Sequence, residues 1–272
     1  MSSANEQYDL VFSLGHACPC SMTLRMAGLQ FASFPLDWVT GGTIVYRATL
    51  VASHFAGWFE MEDFEYRGRN PKNGLGVFFN RHTGFRHPHD FPDAPIETAF
   101  DKVRDKYQRR GNRLYEHIAA SSRVLAAYIT RPDEPPADIE DLASARRILS
   151  DAFPNATFDL LHFVHRAGIP FESRQVLHPL EHVTQILFDY RDPERDVNME
   201  QTAQAIRELG LTAKDWRTEE EKRAFARRKE QEAQRRKSDF KLKQKMEKYG
   251  ATTRLGLLWA RLKRHLGLGR TK

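Results

Sequence analysis

The chain has 272 residues, 40% of them hydrophobic and 29% charged, which is enough for one large domain or for one domain with an appendage. Two cysteines in this length exclude a fold built on disulfides, and no apolar run approaches the ~20 residues of a membrane-spanning helix. The net charge of +6 is uneven, because residues 217–272 hold 19 Lys and Arg against 7 Asp and Glu, and the residues before them carry −6.

The N-terminal residues predict a protein that stays in the cytoplasm with its thiols reduced. They lack the basic segment and the long apolar segment of a signal peptide. The next stretch, Tyr8–Leu14, is short, apolar and followed by Gly15, which predicts a buried strand. A helix is then expected to begin at Cys18 or Cys20 and to end at Ala27. Both cysteines therefore lie at a strand–turn–helix junction.

The middle of the chain predicts an α/β fold. Residues 31–95 are rich in Gly, Pro, Asn and aromatic residues, so we expect loops, short strands and one helix over Thr43–Ser53. Helices and strands then alternate: helix Ile96–Ala120, strand Arg123–Ile129, helix Asp138–Phe153, strand Phe158–Val164, strand Val183–Phe188 and helix Met199–Leu209. This alternation predicts a mixed or mostly parallel sheet flanked by helices, within a domain spanning residues 1–215.

Residues 216–272 predict a basic helical tail that forms a second unit. Glu219–Lys248 is dense in charge and predicts a solvated helix or a disordered arm. Within residues 252–268, five apolar residues share one helical face with basic residues beside them: Leu255, Leu258, Trp259, Leu262 and Leu266. Such a helix suits an anionic membrane surface, here the inner surface of the membrane, or a protein partner, or it packs back on the domain. We expect no nucleic-acid partner.

The junction that holds Cys18 and Cys20 favours thiol chemistry. The N-terminus of a helix lowers the pKa of a cysteine through its partial positive charge and its free N–H groups. The same N–H groups can hold an oxyanion formed at an attacked carbonyl. An acyl-transfer site also needs a base, normally histidine, and a carboxylate or amide that orients it. The alternative is that a small buried cysteine merely begins the helix.

Candidate partners for a thiol lie in residues 79–91, which hold His82, His87 and His89. Asp90 follows His89 directly and is one candidate to orient a base. Asp37, in the segment FPLDW, is another, because a carboxylate beside Trp and Pro is expected to be buried in part and hydrogen-bonded. The alternative is that Asp37 caps a helix and that the histidines belong to loops.

The same side chains allow a metal-binding alternative. Soft nitrogen and sulfur ligands for zinc are available at His16, Cys18, Cys20, His87 and His89. The C-x-C spacing is tighter than in the usual zinc motifs, so we expect no metal. A phosphate loop, a G-x-G-x-x-G after a strand and a G-x-S-x-G elbow are all missing from the sequence, so we also expect no cofactor.

A basic cluster lies late in the predicted helix Ile96–Ala120, at Arg109, Arg110 and Arg113. Arg110 and Arg113 are three residues apart and can act together on a phosphate or carboxylate of a ligand. The alternative is a solvated face whose charge is favourable near the end of a helix.

The N-terminal third of the chain resembles the bacterial DUF1796 family, which is described as papain-like cysteine peptidases. The matching pieces are SLG-x-x-C at residues 13–18, L-R-x-x-G-L at 24–29 and P-L-D-W at 35–38. HPHDF and YQRRGNR also look like the family, so that the resemblance extends over roughly residues 8–190. It implies that Cys18, and not Cys20, is the family cysteine, that His89 is the base, and that Asp90 or Asp37 orients it.

These observations predict a cysteine-nucleophile hydrolase or acyltransferase that acts on an amide or ester carbonyl of an acyl, peptide or glycan substrate. The predicted catalytic residues are Cys18, His89, Asp90 and Asp37. The predicted substrate-binding residues are His16, His87, Arg109, Arg110 and Arg113. The alternative is a non-catalytic module of surface-polysaccharide biosynthesis that binds an anionic sugar or nucleotide-sugar. A third hypothesis makes the tail an adaptor for a membrane or an assembly.

Overall fold

A computed structural model describes residues 7–194 and 196–248. The chain divides into two units, Met1–Asp215 and Trp216–Lys272. The helices and strands of the first unit are, in chain order, β1 (Gln7–Tyr8), β2 (Leu10–Gly15), α1 (Cys18–Met26), α2 (Ile44–Ala52), β3 (Phe64–Arg69), β4 (Gly76–Asn80), β5 (Arg86–Phe91), α3 (Phe100–Ala119), β6 (Arg123–Ile129), α4 (Ile139–Ala152), β7 (Thr157–His165), β8 (Gln175–Leu180), β9 (Val183–Phe188), α5 (Met199–Glu208) and β10 (Thr212–Ala213).

The main sheet confirms the predicted α/β class. It has five strands in the order β2-β6-β7-β9-β8, in which the first four are parallel and β8 pairs antiparallel to β9. The sequence prediction missed β8 because most of its residues are exposed, so that no buried apolar run marks it. An exposed edge strand that contains Pro179 has the sequence pattern of a loop.

Alternate residues of the central strands pack against helices on opposite faces of the sheet. Val124 and Ala126 of β6 belong to the core that includes residues of α2, α3 and α4. Leu125 and Ala127 belong to a second core that includes residues of α1 and α5. This period of two follows from the geometry of a strand, and it explains why the strands are apolar along their whole length.

A second, antiparallel sheet is formed by β3, β4 and β5, within the stretch predicted as loops and short strands. Its register is irregular: Gly76 pairs with Phe91, whereas Phe78 pairs with His87. Two positions along β4 thus match four along β5, so β5 bulges over residues 88–90. A bulge re-aims side chains and ends their regular alternation.

The second unit contains α6 (Glu219–Lys248) among its described residues. The predicted apolar face at residues 255–266, and the tail surface 252–268 that includes it, lie outside the described residues. None of the helices in the described part of the chain combines the length and the apolar character that crossing a membrane requires.

Candidate active site

The turn from β2 into α1 lies at the carboxyl edge of the main sheet. The four parallel strands all end at this edge, so the residues after β2, β6 and β9 approach one another there. The Nδ1 atom of His16, after β2, lies 2.5 Å from Oε2 of Glu134, after β6. The hydroxyl of Tyr190, after β9, donates to the carbonyl of Thr130 at 2.5 Å. Open α/β sheets bind ligands in the crevice at this edge.

Arg47 of α2 stabilises the turn between β2 and α1 through hydrogen bonds to its backbone. Its guanidinium donates to the carbonyls of Leu14 at 2.7 Å and His16 at 2.9 Å, and also to Val39 and Gly41. The side chain is fully buried, and burial lowers its pKa to about 10. Four carbonyl oxygens thus replace the water that the charge loses on burial.

Cys18 is the first residue of α1 and is partly exposed. Burial raises its pKa, and the charge of Asp196 acts in the same direction. The backbone N–H of Cys18 and the charges of Lys72 and Arg131 oppose this shift. The helix N-terminus was predicted to lower the pKa of Cys18, but desolvation outweighs that effect here. The first turn also offers few donors, because Pro19 has no N–H and the N–H of Cys20 donates to Ala17 at 3.1 Å.

Cys20 is a core residue. Its side chain is buried, and its Sγ atom donates to the carbonyl of Ala127 at 3.3 Å. Burial raises its pKa to about 12. The thiol is therefore protonated at neutral pH, and Cys18 is the thiol that reagents can reach.

His16, two residues before Cys18 in the sequence, is buried. Its ring stacks on Tyr128 at a centroid distance of 6.2 Å. Burial, followed by the charges of Arg47 and Arg131, lowers its pKa to about 4. The ring is neutral at pH 7 and its Nδ1 contacts Glu134. His16, predicted to bind substrate, thus forms a histidine–carboxylate pair.

Sequence reasoning missed the charged residues that follow β6. Nε of Arg131 lies 3.5 Å from a carboxylate oxygen of Asp196 and 4.0 Å from one of Glu134. Arg131 lowers the pKa of both Cys18 and His16, so that one charge acts on the thiol and the imidazole together. The available signal was their place directly after a predicted parallel strand, since such segments converge at the carboxyl edge.

His89 is exposed and has a different partner from the predicted one. Its Nδ1 atom lies 3.0 Å from Nδ2 of Asn73, and its ring contacts Trp38 edge-on at 6.3 Å. Lys72, next to Asn73, acts electrostatically on Cys18 and lowers its pKa. In the described part of the chain, no hydrogen bond or ion pair joins Cys18 to His89.

Asp90 binds His87 and not His89, because the bulge in β5 turns it inward. Its carboxylate accepts from His87 Nδ1 at 3.1 Å, from Lys106 Nζ at 2.5 Å and from the Tyr107 hydroxyl at 2.7 Å. Burial alone would raise its pKa, but His87 and Lys106 hold that pKa below its ordinary value. His87, predicted to bind substrate, has no exposed surface and lies among aromatic rings.

Asp37 is also fully buried and joins α1 to the single turn of 3-10 helix at Pro35–Trp38. Arg25 and Gln30 both donate to its carboxylate at 2.8 Å, and the N–H of Phe34 donates at 3.0 Å. Burial raises its pKa, against the charge of Arg25. The contacts give Asp37 a structural role that includes the capping predicted as its alternative.

The arginine cluster lies midway along α3. Arg109 is exposed, and Arg110 stacks over Tyr107 at 5.4 Å. Arg113 donates to the carbonyl of Ser33 at 3.3 Å. Among residues 7–194 and 196–248, no group of three His, Cys, Asp or Glu side chains converges as a metal ion would require.

Comparisons with known proteins agree with the resemblance at the N-terminus. No curated protein and no solved structure matches the chain. A family model described as "Putative papain-like cysteine peptidase (DUF1796)" matches residues 9–146, just over half of the 272 residues. The match includes Cys18, Asp37, His89 and Asp90 and ends before β7, earlier than the expected residue 190. The chain belongs to the DUF1796 family.

Proposed function

We propose that this protein is a cysteine hydrolase that cleaves an amide or ester carbonyl, with Cys18 as the nucleophile. The observation that carries the proposal is a partly exposed thiol at the start of α1, at the carboxyl edge of a parallel sheet and beside a histidine–carboxylate pair. Membership of a family described as cysteine peptidases supports the same reaction class. Transfer to another acceptor differs only in what attacks the acyl-enzyme.

The reaction follows the logic of covalent catalysis. Sγ of Cys18 attacks the carbonyl carbon, and the carbonyl electron pair becomes an oxyanion. A histidine takes the thiol proton and delivers it to the leaving nitrogen or oxygen, so that this bond breaks and leaves an acyl-thioester. Water then attacks the thioester and returns the thiol. The N–H of Cys18, at the start of α1, is the candidate donor to the oxyanion.

The sugar-binding alternative receives less support. Its ligand would be bound by Asp37, His87, His89 and the arginine cluster at residues 109–113. Of these, Asp37 and His87 are fully buried with protein partners. The adaptor hypothesis depends on the tail surface 252–268, which lies outside the described residues.

The test uses 4-nitrophenyl acetate, an activated ester, with the full chain. We expect a stoichiometric burst of nitrophenolate and an acetyl group on the Cys18 peptide, in the parent and in Cys20→Ser. The matched variant Cys18→Ser should give no burst, because a serine hydroxyl at this position is a far weaker nucleophile. A burst that survives in Cys18→Ser, or an acetyl group on another residue, contradicts the proposal.

A further inference from the structure

The backbone between His16 and Cys18 places both side chains on one side of the chain. Ala17 has φ −154° and ψ 178°, which is fully extended. In an extended segment, residues i and i+2 project to the same side, with their Cα atoms about 7 Å apart. That separation suits a contact between a histidine ring and a thiol.

We propose that His16 is the catalytic base for Cys18 and that Glu134 is the positioning residue that orients the ring. This inference rests on the proposed function. It differs from the sequence prediction, which assigned the base to His89 and the orienting carboxylate to Asp90 or Asp37.

The position of the ring proton favours His16. Its Nδ1 atom lies 2.5 Å from Oε2 of Glu134, outside the angular range of a regular hydrogen bond. Two polar atoms this close need a proton between them, and an ionised carboxylate only accepts. The single proton of the neutral ring therefore sits on Nδ1, and Nε2 keeps its lone pair. This arrangement is the one that a base needs toward a nucleophile.

The ring of His89 is held in the opposite tautomer. The amide of Asn73 has a fixed orientation, because its oxygen accepts from the N–H of Leu75 at 2.9 Å and its NH2 group donates to the carbonyl of Pro88 at 3.0 Å. The NH2 group therefore donates to Nδ1 of His89 at 3.0 Å. The ring proton lies on Nε2, and neither nitrogen offers a free lone pair.

The electrostatic surroundings place His16, Cys18 and Glu134 in one cluster. Arg131 acts on the pKa of all three residues, and Asp196 acts on Cys18 and Glu134. Charges interact in this way only over short distances in water-containing surroundings. The carboxyl edge thus combines a nucleophile, a base and an orienting carboxylate.

The proton follows a balanced route. It moves from Sγ of Cys18 to Nε2 of His16 as sulfur attacks the carbonyl carbon, and Glu134 stabilises the imidazolium through Nδ1–H. Nε2–H then protonates the leaving amine as the C–N bond breaks. Water attacks the thioester while His16 takes its proton, the C–S bond breaks, and the proton returns to the sulfur.

The test measures the rate of alkylation of Cys18 by iodoacetamide against pH, in the full chain carrying Cys20→Ser. Proton transfer from Cys18 to neutral His16 needs no hydroxide, so it adds to the alkylation rate a plateau that holds above the pKa of about 4 for His16 and below the raised pKa of Cys18. We expect His16→Gln to replace this plateau by a rate that rises about tenfold per pH unit. The other charged groups facing the pair stay constant in all variants: Arg47, Lys72, Arg131, Asp133 and Asp196.

Two further variants separate catalysis from folding. Glu134→Gln changes a partly exposed side chain and should keep the fold while it lowers the plateau about tenfold or more. His165→Gln is the matched control, since His165 also pairs with a carboxylate, Asp189, at 2.9 Å. It should leave the plateau unchanged. Nitrogen-15 spectra should show the proton of His16 on Nδ1.

The outcomes distinguish this inference from the proposed function. A plateau that depends on His16 and Glu134 supports the inference. A plateau lost in His89→Gln and kept in His16→Gln overturns it, as does a parent without a plateau or a His16 ring protonated on Nε2. Each overturning result leaves the nitrophenyl acetate burst to decide separately whether Cys18 is the nucleophile.

Discussion

At the scale of single residues, the turn before Cys18 depends on a glycine. Gly15 has φ +103°, and a Cβ atom added there would lie 1.9 Å from Nη1 of Arg47. The guanidinium can reach the carbonyls of Leu14 and His16 only because position 15 has no side chain. One missing carbon atom therefore permits the buried arginine, and the arginine fixes the backbone that carries the thiol.

We predict that Gly15→Ala lowers the free energy of unfolding by about 3 kcal/mol or more, because it combines an unfavourable φ with a clash against a buried charge. Gly28→Ala is the matched control: its φ of +79° is also positive, but nothing lies within 4 Å of the added carbon. It should cost about 1 kcal/mol. If Gly15→Ala and Gly28→Ala lower the free energy of unfolding equally in urea denaturation, the clash with Arg47 does not contribute.

At the scale of elements, the bulge in β5 connects the small sheet to α3. It turns Asp90 toward His87 and toward Lys106 and Tyr107 of α3. A regular strand would have placed Asp90 on the opposite face from His87. The carboxylate that the sequence associated with His89 thus joins two elements instead.

We predict that Asp90→Asn destabilises the protein by about 3 kcal/mol at pH 7, because one partner of a buried ion pair is lost. The folded pKa of Asp90 lies below its ordinary value, so its contribution is present above the pKa of the unfolded chain and is lost as pH falls through the folded pKa. The difference in unfolding free energy between the parent and Asp90→Asn should therefore narrow below about pH 4.

Asp105→Asn, on the exposed side of α3, is the control for this experiment and should change the unfolding free energy by less than about 0.5 kcal/mol. If the unfolding free energies of the parent and Asp90→Asn differ by the same amount down to pH 2, the assigned ion pair is contradicted.

At the scale of the whole molecule, the main sheet buries a neutral histidine at its centre. His162 of β7 contacts Thr130 at 2.8 Å through Nε2 and Gln185 at 3.1 Å through Nδ1, and it has no exposed surface. Burial lowers its pKa to about 4. The unfolded chain therefore binds this proton more readily than the folded protein does.

We predict that global stability falls as pH drops from 6.5 toward 4, with up to about 3 kcal/mol due to His162. His16 adds a loss of the same sign. His162→Gln should flatten this dependence in urea unfolding followed across pH, whereas His178→Gln, on the exposed β8, should leave it as in the parent. If the unfolding free energy depends on pH equally in the parent and in His162→Gln, the loss of stability is not due to His162.

The sequence by itself determined the local elements. Apolar periodicity predicted β6, β7, β9 and the helices between them, because each element buries its own apolar face. The family motifs singled out Cys18 over Cys20, and the structure gives Cys18 the greater exposure. The catalytic role of Cys18 stays a prediction, as does the role of His89 as the base, for which His16 is the proposed alternative.

Only the tertiary structure decided how the site is assembled. His16 meets Glu134 because parallel strands bring distant segments to one edge, and no local pattern records that pairing. The bulge that re-aims Asp90 depends on the register between β4 and β5. The raised pKa of Cys18 depends on burial by the whole fold, which opposes the local effect of the helix N-terminus. Periodicity reports which residues are buried, whereas the partner that each one meets follows from strand order and register.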